Sequence, residues 1–514
     1  MRSWTTGALL LAALLVLVAV PVLARRGGDA PPKGSPSVIV VSPHNEQIRL
    51  EFGRAFSRWH EREYGTPATV IWNSPGGTSE IRKMLVASAT AALRDGTPTG
   101  GDADVLFGGG SYEFGALARP LALEVNGEKR STTVLEPLPL PREWLQQAYG
   151  ETSIGGRPLY HPEGYWYGAA LSAFGIVYNT EVLARLGIPP PTGWSALADA
   201  RLFNWTALVN PAQSGSVATA FETILLREGW NDGWRILRRA AANARSISAS
   251  ATRAPIEVAQ GEAAEAFAID FYGRFQQQAV ARGGSPGRVG YMDPAGRTAV
   301  DPDPIALLRG APNREMAERF IRFVLSPDGQ RLWQLRAGEP GGPEQFELRR
   351  LCASRVVFAA EHGRFTDPVD PWSIASEIAN ANPNVRDFVA PLFVAMALDN
   401  RALLREAWTA IRTHPEYPKD GRVLSAAEAR DPRLRAMLEA FDALPVVPGP
   451  AGARLSLDDE ASLAVVRKGW IEGGWAGAGL WDPNDAPVEV LRRVFAAFFR
   501  AQFERVVALA EGAP

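Results

Sequence analysis

Cysteine is almost missing from this 514-residue sequence: Cys352 is the only one. A single thiol builds neither a disulfide framework nor a cysteine-based zinc site, and in an apolar context it reads as a small buried hydrophobe. An excess of one charge is also lacking. The formal net charge is -2, which excludes the basic surplus of a general nucleic-acid binder. The five histidines form no cluster with metal-ligand spacing. His60-Glu61 begins like H-E-x-x-H, but Tyr64 stands where the second histidine belongs. Gly283 to Gly287 (GGSPG) satisfies G-x-S-x-G. No strand leads into it, no helix leaves it, and Pro286 has no N–H to offer an oxyanion hole. No P-loop occurs. No cofactor is therefore expected, and binding without catalysis is the expected function, a hydrolase being the weakest alternative.

One long apolar run is present. Gly7 to Ala24 (GALLLAALLVLVAVPVLA) carries no charge, with Arg2 before it and Arg25-Arg26 after it. Its length lies between a signal h-region and a short spanning helix. Val22-Leu23-Ala24 permits cleavage, whereas Arg25-Arg26 blurs the positive-inside pattern. Residues 1–24 thus read as a signal peptide or an N-terminal membrane anchor. Without a cysteine near position 25, a lipoprotein anchor is excluded. Either form implies export, to the periplasm or the extracytoplasmic membrane surface. Residues 25–37 are Pro/Gly-rich and read as a linker.

Beyond the linker, apolar residues at 46% and charged residues at 21% suit a folded soluble protein. Val38 to Val41 reads as a buried strand, followed by a helix marked by Ile48, Phe52, Phe56 and Trp59. Ala68 to Trp72 is a second strand, and Thr78-Ser79 open a helix through about Thr90. Ala103 to Phe107 is a third strand, closed by Gly108-Gly109-Gly110-Ser111. This β-α-β-α-β rhythm predicts a parallel sheet flanked by helices. Ala173 to Asn179 is another strand, and a second α/β region then runs through Phe203 to Asn210, a helix after Ser216, a helix over Trp230 to Asn243 and a strand over Ala266 to Tyr272. Asp301 to Ala311 returns the chain to the first region. The expected plan is a two-lobed α/β domain over 38–350 with two hinge crossings: lobe 1 about 38–172 and 300–350, lobe 2 about 173–299. A mainly helical extension over 351–514 follows, with helices over Leu392 to Ile411, Ala426 to Leu444 and Val488 to Leu509.

Candidate ligand groups lie where open α/β sheets bind, at the carboxyl ends of strands. Ser42 and His44 follow the first strand. Gly77, Thr78 and Ser79 begin a helix whose free N–H groups and dipole attract an anion, although a plain turn with an N-cap uses the same residues. Ser214, Gly215 and Ser216 repeat the device in the second lobe, and two such ends facing one cleft would clamp an anion. Gly109, Gly110 and Ser111 offer further N–H donors, or only a turn. Tyr167 lines the cleft or covers the hinge. Asp270 and Tyr272, placed at a strand end, suit ligand hydroxyls and an anion respectively, with core packing the plain alternative for Tyr272.

The segments VVSPHNEQI, NSPGGTSE, GDADVLFGGGSYEF, YWYGAALSAFGIVYN, NPAQSGSVATAFETIL, GEAAEAFAIDFY and DPIALLRGAPNREMAERFIRFVLSPDGQ are weak singly and strong in their order and spacing. Over about Ser37 to Arg350 the chain resembles the type II periplasmic solute-binding proteins of ABC importers, in the ferric iron, phosphonate and organophosphate cluster. That resemblance implies a monomeric ligand trap that closes on a small anionic solute or ferric complex and delivers it to a membrane permease. A membrane-tethered sensor using the same fold is the other possibility. Ferric members of the cluster use a His, a Glu and two adjacent Tyr. His44 and Tyr272 match two of these positions, but Gly109 and Phe271 stand at the others. Losing a carboxylate and a phenolate weakens a site for a hard cation, so the departure favours an oxyanion and leaves the metal unknown.

Overall fold

The computed structural model describes residues 34–375, 382, 384–449, 452–473 and 486–512. The apolar segment 7–24 and linker residues 25–33 lie outside the described residues. Among the described residues, no helix is long and apolar enough to cross a membrane.

The chain opens with β1 (Ser37–Val41), α1 (Glu46–Tyr64), β2 (Thr69–Asn73), α2 (Thr78–Asp95), β3 (Val105–Phe107) and α3 (Ser111–Ala118). Asn45 caps α1 by accepting from the Ile48 N–H at 3.0 Å, and Gly65 closes it in the left-handed conformation. After β4 (Leu135–Glu136) comes β5 (Tyr167–Ser172), and the chain crosses at Ala173 into β6 (Phe174–Asn179). The second lobe adds β7 (Thr206–Val209), α4 (Gly215–Glu228), α5 (Trp230–Asn243), β8 (Ala244–Ser248), α6 (Arg253–Ala259), β9 (Glu265–Ile269), α7 (Asp270–Arg282) and β10 (Val289–Met292). Strand β11 (Asp301–Leu308) then recrosses, and α8 (Arg314–Leu325) covers the first sheet.

The first sheet runs β2-β1-β3-β11-β4, with β5 also paired to β11. Strands β1, β2 and β3 are parallel and the returning β11 is antiparallel. The second sheet runs β8-β7-β9-β6-β10. Every residue of β5, β9 and β11 is buried, the composition of strands covered on both faces.

Three sequence expectations are corrected. The strand expected over Ala266 to Tyr272 ends at Ile269, and Asp270 is already in the first turn of α7. The helix expected over Leu392 to Ile411 is two: α9 (Val385–Ala397) and α10 (Arg401–Arg412). The break is at Asn400, whose side-chain amide donates to the Ala395 and Ala496 carbonyls. Only α11 (Pro432–Asp442) occupies the core of the expected Ala426 to Leu444 helix, while α12 (Pro487–Glu511) extends the last one. The extension does not stand apart. Phe393, Trp408, Phe441 and Phe503 share one buried core with Phe221, Trp234 and Phe267 of the second lobe.

Candidate functional site

Between the lobes lies a cleft of about 540 Å³. Its first-lobe wall is made by the turns after β1, β2 and β3 and by the start of β11. Its second-lobe wall is made by the start of α4, the turn after β8 and the start of α7. The cleft therefore forms at the carboxyl ends of the parallel strands, as the order of elements requires.

His44, Gly77, Thr78, Gly109, Gly110, Ser214, Ser216 and Tyr272 all line it. Six other expected residues do not. Ser42 is fully buried and its Oγ accepts from the His44 N–H at 3.1 Å, so it shapes the turn that carries His44. Ser79 faces inward from α2. Ser111 donates its N–H (3.1 Å) and Oγ–H (2.6 Å) to Asp301. Tyr167 belongs to the first-lobe core, its hydroxyl donating to the Leu138 carbonyl, because every side chain of β5 is enclosed. Gly215 backs onto the first lobe, where a side chain would meet Glu113 Oε1 at 2.9 Å. Asp270 is fully buried, accepts from the Phe271 N–H at 2.8 Å and pairs with Arg274 at 3.3 Å. Burial raises its carboxyl to about 6 despite Arg274. Thus Asp270, which opens a helix instead of ending a strand, is buried behind the cleft wall and does not line it.

The centre of the cleft is a buried trio that the sequence did not reveal as a unit. His44 Nε2 lies 2.9 Å from Asp303 Oδ2. Arg350 Nη1 pairs with the same carboxylate oxygen, and the Gly109 N–H donates to the other. Burial alone would raise the Asp303 carboxyl, yet Arg350, His44 and the Gly109 N–H hold it below its usual range. Burial pulls the His44 imidazole below its usual value, against the opposing pull of Asp303. The close approach explains the glycine run: Gly108 has φ 102°, and a Cβ there would lie 2.7 Å from the His44 ring.

Arg350 reaches the cleft from beyond the second crossing. The preceding Arg349 has φ 58°, an uncommon conformation for a side-chain-bearing residue, fixed by its pairing with Asp367 and by a 2.7 Å bond to the Arg274 carbonyl. Arg350 also bonds Ser172 and lies 4.5 Å over the Phe271 ring. Its Nε is buried and has no hydrogen-bond partner among the described residues; the same holds for His44 Nδ1. Phe271, standing where a ferric site would place a phenolate, is thus the platform for a guanidinium. Burial raises the Tyr272 phenol, with partial relief from Arg350.

The remaining lining is rich in hydroxyls, among them Thr78, Ser214, Ser216, Thr219, Ser250 and Thr252. Glu80 also faces the cleft, and its carboxylate accepts the Gly77 N–H at 2.7 Å. The N–H of Gly77, the N-cap of α2, is therefore already engaged, which corrects the expectation of a free donor at that residue. Asp301 pairs with Arg157 at 3.1 Å. Among the described residues no group of three or more His, Cys, Asp or Glu could hold a metal ion. Ser285 of the G-x-S-x-G match lies in a helix-to-strand turn between α7 and β10, the reverse of a strand-to-helix elbow. His60 is a core residue of α1, with Nδ1 bonded to the Thr66 carbonyl at 2.6 Å.

Two α/β lobes, two crossings and a cleft at the strand ends define the type II periplasmic solute-binding fold, and this chain has that fold. Residues 146–348 match the family described as bacterial extracellular solute-binding protein. The periplasmic binding protein AfuA from Actinobacillus pleuropneumoniae, solved with exogenous fructose-6-phosphate bound, shares the fold. The match has a TM-score of 0.51 and 17% identity, covering 70% of this chain and 98% of that one. The phosphoglycerate transport regulatory protein PgtC of Salmonella typhimurium is 26% identical over 163 residues, 32% of this chain and 39% of its own. An uncharacterised Haemophilus influenzae protein is 28% identical over 163 residues, 32% of this chain and 45% of its own. The chain thus spans less than half the length of these curated relatives.

Proposed function

We propose that this protein is the extracytoplasmic substrate-binding component of an ABC importer. It captures one small anionic solute, a phosphorylated or phosphonate compound, and hands it to a membrane permease without chemical turnover. It works as a monomer, with export or anchoring through residues 7–24. The observation that carries this reading is Arg350: a guanidinium more than nine-tenths buried, lining the interlobe cleft, with Nε unpartnered. A buried cation with an unused donor favours an anionic partner. The N-terminus of α4 points the same way, and the surrounding hydroxyls suit a polyol portion. The names of PgtC and of the AfuA complex accord with a phosphorylated ligand.

Native mass spectrometry of the purified protein, then calorimetry with fructose 6-phosphate, phosphoglycerates, a phosphonate and ferric citrate, tests the reading. Binding of a phosphorylated compound at about 1:1, with its dephosphorylated form at least tenfold weaker, supports it. Equal binding of the dephosphorylated form, or steady conversion of the bound compound, overturns it. A second reading, a membrane-tethered sensor, is favoured by the helical extension and by the regulatory name of PgtC. Adjacent permease and ATPase genes would decide for transport.

A further inference from the structure

The helical extension is fastened to the second lobe. Arg238 and Arg239 of α5 are fully buried and pair with Asp442 of α11. The Trp230 indole N–H donates to the Leu457 carbonyl at 2.6 Å, and α9 packs along α4. At its first turn, however, α9 also touches the first lobe. The Tyr112 hydroxyl of α3 donates to Asp387 Oδ1 at 3.0 Å, and the Arg386 guanidinium lies 4.5 Å over the Tyr112 ring. Arg386 is itself buried. It donates to Thr219 Oγ1 and to the Gly215 carbonyl, both at 2.9 Å, and faces Glu113 of the first lobe at 3.9 Å and Glu222 of the second at 3.6 Å. Arg467 holds Asp387 from the extension side.

We infer that Arg386 and Asp387 form an interlobe latch, by which the C-terminal extension clasps α3 of the first lobe and sets how far the binding cleft opens. One guanidinium touches both lobes, and Thr219, which it bonds, lines the cleft. Opening the lobes separates Tyr112 and Glu113 from α9, so the Tyr112 hydrogen bond and ring contact are lost while the bonds to Thr219 and Gly215 stay. Arg386 acts as a positioning residue: its effect reaches a solute through the cleft wall and the lobe spacing. This holds whatever solute the cleft takes.

The experiment needs no ligand. Nitroxides on Lys83→Cys in α2 and Arg253→Cys in α6, both exposed, report the interlobe distance in the full chain by pulsed electron resonance. The native Cys352 is buried and will not label. Tyr112→Phe, Asp387→Asn and Arg386→Met should each add a longer-distance population. The Tyr112→Phe/Asp387→Asn pair should do no more than the stronger single change. Tyr112 is 39% exposed, so Tyr112→Phe keeps the fold even if Arg386→Met does not. A melting temperature lowered in Arg386→Met with distances unchanged in all variants would overturn the latch and leave a purely structural contact.

Discussion

Arg350 combines three properties at one position: burial, contact with the buried carboxylate of Asp303, and an aromatic platform in Phe271. Arg350→Gln keeps a hydrogen-bonding side chain and removes the charge. A charge-assisted hydrogen bond contributes roughly 1.5–3 kcal/mol, on the order of tenfold to a hundredfold in affinity. Calorimetry with fructose 6-phosphate should show that loss, and an unchanged affinity would remove Arg350 from the anion site. A second expectation concerns iron. The ferric ligand set that the resemblance implies has a carboxylate and two phenolates, yet burial raises the Tyr272 phenol, Phe271 offers no oxygen, and Gly109 no carboxylate. Ferric citrate at neutral pH should give no tyrosinate charge-transfer band. A strong band that disappears in Tyr272→Phe would show that the phenol ionises for the metal. Arg350 was not legible in the sequence because no motif surrounds it: its place depends on the left-handed turn at Arg349 and on partners far along the chain. His44, by contrast, follows directly from its position after an unmistakable strand.

At the scale of the element, β9 carries an unusual load. Glu265 is completely buried, neither carboxylate oxygen has a partner among the described residues, and Thr206 opposite it in register also has an unpartnered Oγ1. Burial, with the nearby Asp199 charge adding to it, raises the Glu265 carboxyl from 4.5 to about 8. The folded state therefore holds a proton that the unfolded chain releases above about pH 4.5. Stability from this residue is complete below that pH and is lost as pH rises toward 8, a change on the order of 4 kcal/mol. Glu265→Gln stays neutral throughout, so its urea midpoint should fall less than the wild-type midpoint between pH 5 and pH 8. Parallel falls would mean that Glu265 ionises freely in the fold. The strands themselves were legible wherever a short β-branched run ended in a turn, as at Val38 to Val41. Asp270 was misplaced because the apolar and aromatic residues on both sides of it in AFAIDFY read as one strand, so the acidic residue that opens α7 reads as a strand end. Tyr167 was misplaced for a related reason: an aromatic beside a crossing looks alike whether it faces a cleft or a core. The extension's helices were legible by spacing, but the break at Asn400 is set by its bonds to two carbonyls, one of them ninety-six residues away.

At the scale of the molecule, the question is whether the extension is an appendage or part of the second lobe. Helix α5 answers through its composition: Trp230, Trp234, Leu237, Arg238, Arg239 and Ala241 are all buried, so both of its faces are covered. One side packs on the lobe and the other receives α10 and α11, with Arg239 over the Trp408 ring at 5.4 Å. Burial would raise the Asp442 carboxyl, but Arg239 and Arg238 hold it below the usual range. Asp442→Asn therefore leaves two buried guanidinium groups short of their counter-charge. Breaking a buried ion pair by removing one partner costs about 3–5 kcal/mol, a fall in melting temperature on the order of 10 °C for a unit of this size. Asp399→Asn is the control in the same extension: its bridge to Arg492 is 2.7 Å long but partly exposed, and such pairs contribute roughly 0–1 kcal/mol. If the extension completes the lobe, Asp442→Asn lowers one cooperative transition that tryptophan fluorescence and far-ultraviolet dichroism follow together. If the extension is an appendage, the variant melts it first, leaving a second transition at the wild-type temperature for the two lobes.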